Sequence, residues 1–274
     1  PAQLQVYPHE SLLDPGQTRD FVVKLYDARG NFIRTASGAD VQWTVDQLAG
    51  TVDANGRYTA PAEGTAGYVK ATVGGLSGQA RVRVIPALPW SMDFEGLKAT
   101  PAWWISNMKA APREIDGTTA LVRPRDDTVG RRTKFLMGKP EWSDYTVEVD
   151  VRGVEMRRQR GDVGLINQRY VLMLFGNNRR VELQPWQAAN EMTVSVNDFD
   201  WPVNTWFRMK LRVQNRPDGT TLAQGKIWPV GQPEPAAWLI EKVDRIGHRH
   251  GSPGLYGDGI SDVMFDNFKV YRNQ

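Results

Sequence analysis

The sequence predicts an all-β protein of two domains, a small β-sandwich followed by a larger two-sheet jelly roll. Apolar and polar residues alternate along short segments, most clearly where residues 207–213 place Arg208, Lys210 and Arg212 between apolar neighbours. Glycine, proline, asparagine and aspartate, which are typical of turns, separate these segments. No segment of about 12 residues carries apolar side chains at helical spacing. Period-two alternation bounded by turn residues indicates β-strands with one buried face.

The composition excludes several classes of function. The chain has 274 residues, of which 41% are hydrophobic, enough to build the cores of two folded domains. A net charge of +3 is small for this length, so no nucleic-acid partner is predicted. Cysteine is absent, which excludes disulfide bonds and thiolate metal sites. The longest apolar runs fall far short of the roughly 20 residues that a membrane span needs, so no membrane insertion is predicted.

The first domain is predicted over residues 1–86, and about seven short strands fit into it. The clearest are residues 22–26, 41–45, 68–73 and 79–85, with glycine and asparagine turns between them. This density of strands is typical of an immunoglobulin-like sandwich. Two prolines, Pro86 and Pro89, stiffen the linker to the second domain, which is predicted over residues 87–274.

Three motifs of the first domain resemble the bacterial Ig-like repeats of exported and surface proteins. They are Val41-x-Trp43, residues 50–61 with Gly56-x-Tyr58, and residues 74–80. The resemblance implies that Trp43 is the central core aromatic and that Tyr58 packs at the exit of a hairpin. It implies a spacer or adhesion module and brings no catalytic residues with it.

The second domain shows the same alternation over a greater length. Its predicted strands are residues 145–151, 164–167, 170–175, 180–184, 207–213 and 265–271. Asn177-Asn178 and the segment 217–219 are predicted hairpin turns, because their residues tolerate left-handed backbone geometry. The final strand is expected to pair near the first, which begins at Asp93. The length of this domain, predicted over residues 87–274, suits a two-sheet jelly roll.

Motifs along the whole second domain resemble the concanavalin A-like, laminin-G-like family. They are Asp93-Phe-Glu-Gly, residues 206–213, Gly254-Leu-Tyr-Gly and Phe265-Asp-Asn-Phe-Lys-Val. That family contains glycoside hydrolases, lectins, modules appended to enzymes and modules that contact proteins. Such tails are similar to the C-terminal parts of large exported bacterial proteins, which implies a periplasmic, cell-surface or secreted location. The chain begins at Pro1 rather than methionine, which we interpret as a processed product or a piece of a longer protein.

An enzymatic interpretation depends on paired carboxylates. The glucanase branch of this family carries Glu-x-Asp-x-x-Glu or Glu-x-Asp-x-Glu on one strand, with the acidic side chains on one face. Here Glu148 and Asp150 share a face, but Arg152 stands where the shorter motif needs a carboxylate, and Glu155 comes too late for the longer one. Glycoside hydrolase or lyase activity therefore stays an alternative that would need an acid pair not recognised in the sequence.

The resemblance also implies a structural calcium ion. Family members bind calcium through a carboxylate near the first strand and an aspartate in the last strand, since a hard cation prefers oxygen ligands. Asp93, or Glu95 beside it, and Asp266 occupy the matching positions. The alternative is that Asp266 caps a turn. A transition-metal site at His248 and His250 is disfavoured, because arginines flank the pair and no cysteine is available.

Sugar binding needs an exposed aromatic ring beside planar hydrogen-bonding groups. Trp104, Trp186 and Trp201 are the candidates for such a platform. The predicted ligand surface is a sheet face formed by Arg169, Tyr170, Arg180, Gln184 and Trp186. Basic residues crowd the same region, which indicates an anionic polysaccharide: Arg123, Arg125, Arg131, Arg132, Lys134, Arg157, Arg158, Arg160, Arg169, Arg179 and Arg180.

Three functional hypotheses follow. The first is a non-catalytic carbohydrate-binding or attachment module of an exported bacterial protein, for glycans that carry negative charge. The second is a glycoside hydrolase or lyase of the concanavalin A-like superfamily. The third is a protein-interaction or structural tail, whose partners are other domains of a larger polypeptide.

Overall fold

The computed structural model describes residues 1–126, 132–185, 192–259 and 261–274. The protein is all-β: in these ranges the sole helix is a short 3-10 turn at Gly38–Asp40. No helix of the described ranges has the length and apolar character needed to cross a membrane. The chain folds as two compact units. Unit 1 comprises Pro1–Ala87 with Pro101–Trp103, and unit 2 comprises Leu88–Thr100 with Trp104–Gln274.

Unit 1 contains ten strands in three sheets. The strands are β1 (Gln3–Tyr7), β2 (Glu10–Leu13), β3 (Thr18–Asp20), β4 (Val22–Tyr26), β5 (Phe32–Ala36), β6 (Gln42–Asp46), β7 (Thr51–Val52), β8 (Arg57–Thr59), β9 (Thr65–Val73) and β10 (Leu76–Val84). The sheet orders are β1-β4-β5, β2-β10-β9-β6 and β3-β8-β7. All pairs are antiparallel except β2 and β10, which run parallel.

The core of unit 1 forms where the buried faces of these strands meet. Val23, Tyr58, Val69 and Val82 are all fully buried within it. Trp43 is partly buried and packs against this core. It therefore lies beside the core rather than at its centre, the position that the resemblance implied. In β4 and β10 buried residues alternate with more exposed ones, as expected of strands with one side toward the core.

Gly56 shows why one turn of unit 1 requires glycine. Its backbone has φ +81°, a conformation that L-residues other than glycine rarely adopt. A Cβ atom there would lie 2.6 Å from the Trp43 ring and 2.7 Å from the Phe21 carbonyl oxygen. The predicted Gly56-x-Tyr58 hairpin is thus packed directly against the core.

Unit 2 contains seventeen strands in the described residues. They are β11 (Trp90–Met92), β12 (Ile105–Ser106), β13 (Ala111–Ile115), β14 (Thr118–Arg123), β15 (Thr133–Leu136), β16 (Tyr145–Gly153), β17 (Glu155–Met156), β18 (Gln159–Arg160), β19 (Asp162–Asn167), β20 (Tyr170–Phe175), β21 (Arg180–Pro185), β22 (Val194–Val196), β23 (Phe207–Asn215), β24 (Thr221–Pro229), β25 (Ile240–Asp244), β26 (Gly254–Asp258) and β27 (Val263–Arg272).

Two large sheets dominate unit 2. The eight-stranded sheet has the order β13-β14-β27-β16-β23-β24-β25, with β11 also paired to β27. The seven-stranded sheet has the order β12-β15-β26-β19-β20-β21-β22, and β17 and β18 form a separate hairpin. The first strand pairs with the last, as predicted, in the register Trp90↔Val270, but it ends at Met92, before the Asp93 at which the sequence placed its start.

The two large sheets of unit 2 stack face to face and enclose its core. Val147, Leu165, Leu172 and Leu211 are fully buried there. The buried Asn167 side chain fixes the sheets to each other by donating hydrogen bonds to the Leu211 carbonyl of the eight-stranded sheet, at 3.0 Å, and to the Tyr145 carbonyl, at 2.7 Å. The side chains on the outward faces of these two sheets are left to contact a ligand.

Candidate functional site

Strand β20 defines the outer face of the seven-stranded sheet. Leu172 points toward the eight-stranded sheet, since a Cβ atom added at Gly225 would lie 2.7 Å from its Cδ1 atom. Side chains alternate along a strand, so Val171, Met173 and Phe175 lie on the opposite, outer face. The cross-strand registers of β15, β19, β21 and β26 then place further residues on this face.

The outer face combines an apolar floor with charged and polar side chains. Ile166, Val171, Met173 and Tyr256 form a buried apolar cluster, with Leu136 and Phe175 packed against it. The polar residues on this face, assigned by register, are Lys134, Asp162, Arg180, Glu182, Gln184 and Asp258. The predicted positions Arg180 and Gln184 therefore do share one face.

A hollow of about 470 Å³ lies at the end of this face where β19 and β20 meet. Its walls are Leu136, Pro140, Ile166, Arg169, His248, Gly251 and Ser252. This volume falls in the range of small-molecule binding sites, about 300–1,000 Å³. The hollow combines an apolar wall with a cation, an imidazole and a hydroxyl.

The loop that carries His248 is fixed by buried hydrogen bonds. The Tyr170 hydroxyl donates to Asp244 Oδ2 at 2.7 Å and accepts from the His248 backbone amide at 3.0 Å. The Tyr145 hydroxyl donates to the Gly251 carbonyl at 2.7 Å. Burial, reinforced by Asp244, raises the pKa of Tyr170 far above its usual range, so this hydroxyl keeps its proton. The walls of the hollow are therefore preorganised.

Three polar groups of the hollow can meet a ligand. Arg169 is exposed in a left-handed conformation, with φ +70°, and has no hydrogen-bond or ion-pair partner among the described residues. Burial and the nearby Arg169 lower the pKa of His248, so its imidazole is neutral at physiological pH. Ser252 donates its proton to the Gly138 carbonyl at 3.0 Å, which leaves its oxygen able to accept.

Arg180 and Gln184 line the middle of the outer face. The Arg180 guanidinium lies 4.9 Å from the centre of the Phe175 ring, and its Nη2 atom is 2.8 Å from Glu182 Oε1. Its buried Nε atom has no hydrogen-bond partner in the part of the chain that the structure describes. Gln184 Nε2 contacts only the Met173 sulfur, at 3.5 Å, among the described atoms. Both side chains retain capacity for further hydrogen bonds.

A second group of titratable side chains lies at the other end of this face. Asp162 and Asp258 stand opposite each other on β19 and β26, and Tyr256 is on the same side. Burial, together with repulsion from Asp258, raises the pKa of Asp162 to about 6. The Gly176 amide donates to Asp162 Oδ1 at 2.9 Å. A carboxyl group with this pKa is able to exchange a proton near neutral pH.

Three predicted ligand-binding residues are buried, and the expectation that they are exposed is wrong. Trp104 is 6% exposed and packs edge-on against Phe94 and Phe135. Trp201 is 4% exposed because its ring lies over Gly153. Tyr170 is 1% exposed because it points into the sandwich toward Asp244. None of them can form a platform for a sugar.

The remaining predicted positions divide in two. Arg169 lines the hollow, and Arg180 and Gln184 lie on the outer face that extends from it. Trp186 lies outside the described residues. Of the wider basic group, Arg123 is 2% exposed and donates to the Gly259 carbonyl at 2.6 Å, so it does not face solvent, and Arg131 also lies outside the described residues.

Glu148 and Asp150 lie on the outward face of the eight-stranded sheet, remote in the fold from the hollow. Asp150 accepts hydrogen bonds from Arg208 at 2.6 and 2.8 Å, and Lys210 lies 2.9 Å from Glu148. Each acid is therefore neutralised by a basic residue on the adjacent strand. This arrangement supports the interpretation of the pair as an ion-paired face.

Thr118 links two of the residues predicted to hold calcium, Glu95 and Asp266. Asp266 Oδ2 lies 3.3 Å from the Thr118 hydroxyl, and that hydroxyl is 2.7 Å from Glu95 Oε1. Asp93 is exposed and accepts the Glu95 amide. The described ranges contain no group of three His, Cys, Asp or Glu side chains able to hold a metal. Calcium takes six to eight oxygens, so an ion at Asp93 and Asp266 would also need backbone carbonyls as ligands, and calcium binding stays a prediction.

Sequence reasoning missed several residues of the outer face. His248 was visible beside Gly247 as part of a histidine pair, but its pairing with Arg169 depends on loops far apart in the chain. Asp162 and Asp258 become partners through the register of β19 and β26. The sequence contained one signal for these two acids, because Asp162 directly precedes an apolar strand segment and Asp258 directly follows one.

No protein-family model matches the chain, and no curated protein matches it. Solved structures similar to it include a carbohydrate-binding module from Bacillus subtilis, at 15% identity and TM-score 0.44 over 61% of this chain and 94% of that one. A β-1,3-glucanase from Mycobacterium marinum aligns at 12% identity and TM-score 0.47 over 68% and 99%. A legume lectin-like domain from Entamoeba histolytica aligns at 7% identity and TM-score 0.43 over 62% and 90%. Similarity at this level does not assign a function to this chain.

Proposed function

We propose that the protein is a non-catalytic carbohydrate-binding module for glycans that carry carboxylate or sulfate groups. In this proposal residues 1–86 are a bacterial Ig-like domain, and residues 87–274 are a concanavalin A-like, laminin-G-like jelly roll. The module belongs to an exported bacterial protein and attaches it to a polysaccharide. Unit 2 contains the binding site.

The observation that carries the proposal is the hollow around Arg169. Its volume is about 470 Å³, and it is bounded by Leu136, Pro140 and Ile166 on its apolar side. A pyranose ring has apolar C–H faces and polar edges, so it needs a site with both kinds of wall. A guanidinium without a partner among the described residues is available to an anionic ligand.

The three polar groups of the hollow, Arg169, His248 and Ser252, offer different hydrogen-bonding groups to an acidic sugar. Arg169 offers two parallel N–H donors, which match the two oxygens of a carboxylate or sulfate. The neutral imidazole of His248 presents one donor and one acceptor to sugar hydroxyls. Ser252 contributes an acceptor oxygen. An anion beside His248 would stabilise the imidazolium, so binding is expected to raise the pKa of His248.

Calorimetric titration with galacturonic acid and with galactose tests the proposal, because the carboxylate is the main chemical difference between these sugars. We expect binding of the acid and little binding of the neutral sugar. Arg169→Ala should weaken binding of the acid at least about tenfold, since charged hydrogen bonds contribute about 1.5–3 kcal/mol. Arg113→Ala, which removes an exposed arginine from β13, is the matched control and should change nothing.

Absence of binding to acidic and neutral sugars would contradict the proposal. The same result across longer acidic and neutral glycans would favour the protein-interaction tail, whose partners are other domains of a larger polypeptide. A loss of affinity that is equal in the Arg169 and Arg113 variants would show that net charge, rather than the hollow, accounts for binding.

A hydrolase or lyase is the second candidate, and Asp162 favours it. Asp162 and Asp258 stand opposite each other on adjacent strands, which brings together two carboxyl groups, the pair that glycoside hydrolysis uses. Asp162, with its pKa of about 6, would be the proton donor and Asp258 the second carboxylate. Reducing-end release from a panel of glycans, compared with Asp162→Asn and Asp258→Asn, tests this. Equal product with all three proteins would exclude the pair.

A further inference from the structure

The β17–β18 hairpin places two arginines at a strained turn. Arg157 and Arg158 are the two central residues between Met156 and Gln159, with φ +52° and +60°. Two consecutive left-handed residues define a type I′ turn, which strongly prefers Asn-Gly. Side chains with a Cβ atom cost conformational energy there. Strained backbone of this kind is found at functional positions more often than elsewhere. Arg157 and Arg158 are therefore candidates for a functional role.

Arg157 and Arg158 do not bind other side chains of the described structure. Both side chains are exposed, and neither has a hydrogen-bond or ion-pair partner among the described residues. The acid of this hairpin, Glu155, is already 3.0 Å from Arg160. Two positive charges therefore remain at the turn.

A second turn adds a third arginine beside the first two. Asn177 joins the turns, because its Oδ1 accepts the Arg160 amide and its Nδ2 donates to Gln159 Oε1, both at 2.8 Å. Arg179 follows on this second turn, also left-handed, with φ +49°. Its only acid in the described residues is Asp200 at 3.5 Å, with both side chains more than half exposed. We call Arg157, Arg158 and Arg179 the arginine tip.

The arginine tip and the hollow lie at opposite ends of β20. The strand begins at Tyr170, next to Arg169, and ends at Phe175, just before the turn that carries Arg179. Six residues of strand span about 20 Å. Between the two ends lies the outer face, where Arg180 stacks on Phe175. Arg169 and the arginine tip, which offer guanidinium groups to anions, thus lie at the two ends of this strand.

We propose that the ligand is a linear polyanionic glycan that lies along β20, with one acidic sugar in the hollow and further acidic groups at the arginine tip. This inference rests on the proposed function and names the class of polysaccharide. A single acidic sugar on a neutral chain would engage Arg169 and leave the tip unused. A polymer with acidic groups along its length engages both, and carboxylates or sulfate esters can each pair with guanidinium groups.

The double substitution Arg157→Asn with Arg158→Gly tests the inference, because it removes both charges and supplies the residues that a type I′ turn prefers. We expect affinity for polygalacturonate or dextran sulfate to fall roughly tenfold, as two exposed charge contacts are lost. The melting temperature should rise, since the strain is relieved. Affinity for galacturonic acid, which binds in the hollow, should not change. A preference between the two polymers identifies the anionic group.

The matched control is Arg113→Ala with Arg272→Ala, which removes two exposed charges from the eight-stranded sheet of the same unit. An equal loss of polymer affinity in the control would overturn the inference, because it would reduce the effect to net charge. Unchanged polymer affinity in the hairpin variant, with galacturonic acid still bound, would overturn it while the proposed function stands. Failure of the proposed function is seen separately, as wild-type protein that does not bind galacturonic acid.

Discussion

Replacing Asp162 by asparagine is expected to stabilise unit 2 at neutral pH and to have little effect at acidic pH. Burial and repulsion from Asp258 raise the pKa of Asp162 from 3.8 to about 6. The folded state therefore binds this proton more tightly than the unfolded chain does. The stability that this proton contributes is complete below pH 3.8 and is lost as the pH rises through 6.

The size of the effect follows from the pKa shift. A rise of this size corresponds to about 3 kcal/mol of free energy between the two protonation states. An amide cannot ionise, and its oxygen can still accept the Gly176 amide that now bonds to Asp162. Asp162→Asn should therefore raise the free energy of unfolding by up to about 3 kcal/mol above pH 7 and by close to zero below about pH 4.

Urea denaturation at several pH values between about 4 and 8 measures this difference. Glu114→Gln is the control, because Glu114 is an exposed carboxylate on β13. Its stability difference from the wild type should stay nearly constant over the same range. A gain from Asp162→Asn that is the same at both extremes of pH, or a loss at neutral pH, would refute the reasoning.

Four further predictions concern other parts of the fold. Burial opposes ionisation of Glu234, but hydrogen bonds from two lysines lower its pKa, so Glu234→Gln should cost roughly 1 kcal/mol at neutral pH. That loss should shrink below about pH 4.5 in urea denaturation, since the stabilisation disappears as the carboxylate protonates. Asp150→Ala should cost about 2 kcal/mol, because it leaves the partly buried Arg208 unpaired, yet calorimetry should show unchanged sugar binding. Gly56→Ala should destabilise unit 1 by about 2–4 kcal/mol in thermal denaturation, because the added methyl group collides with the core. A calcium ion at Asp266 predicts a melting temperature that falls on chelation, and an unchanged value would contradict it.

The strands could be predicted from the sequence because their signals are local. Residues 22–26 and 170–175 were predicted as strands, and the structure has β4 and β20 with the same bounds. Alternation and turn residues act over a few neighbours, so they do not depend on the rest of the fold. The hairpin turn at Asn177 was found for the same reason.

The aromatic side chains could not be placed in this way. Trp201 sits in a polar segment, which suggested an exposed ring, but Gly153 on another strand leaves space that the indole fills. Tyr170 was assigned to the ligand surface, although the alternation in β20 places it on the same side as Leu172, toward the core. Burial of a large ring depends on cavities formed by distant segments, and a single sequence does not reveal them.

Cross-strand register explains why one charged face offers a binding site and the other does not. In sequence, β16 with Glu148 and Asp150 resembles β21 with Arg180 and Glu182, since both alternate charged and apolar residues. The register places Asp150 opposite Arg208 on the eight-stranded sheet, so acids and bases neutralise each other in pairs.

On the seven-stranded sheet the register has the opposite effect. Arg180 stands opposite Phe175, and Gln184 stands opposite Val171, so each polar group faces an apolar neighbour. Arg180 is left with Glu182 on its own strand, and its buried Nε atom lacks a partner among the described residues. The exposed third of the Arg180 side chain is what remains available to a ligand. The charged residues in the sequence make the outward faces of both large sheets candidates for a binding site. The pairing of strands, which is set by the whole sheet, selects the outer face of the seven-stranded sheet.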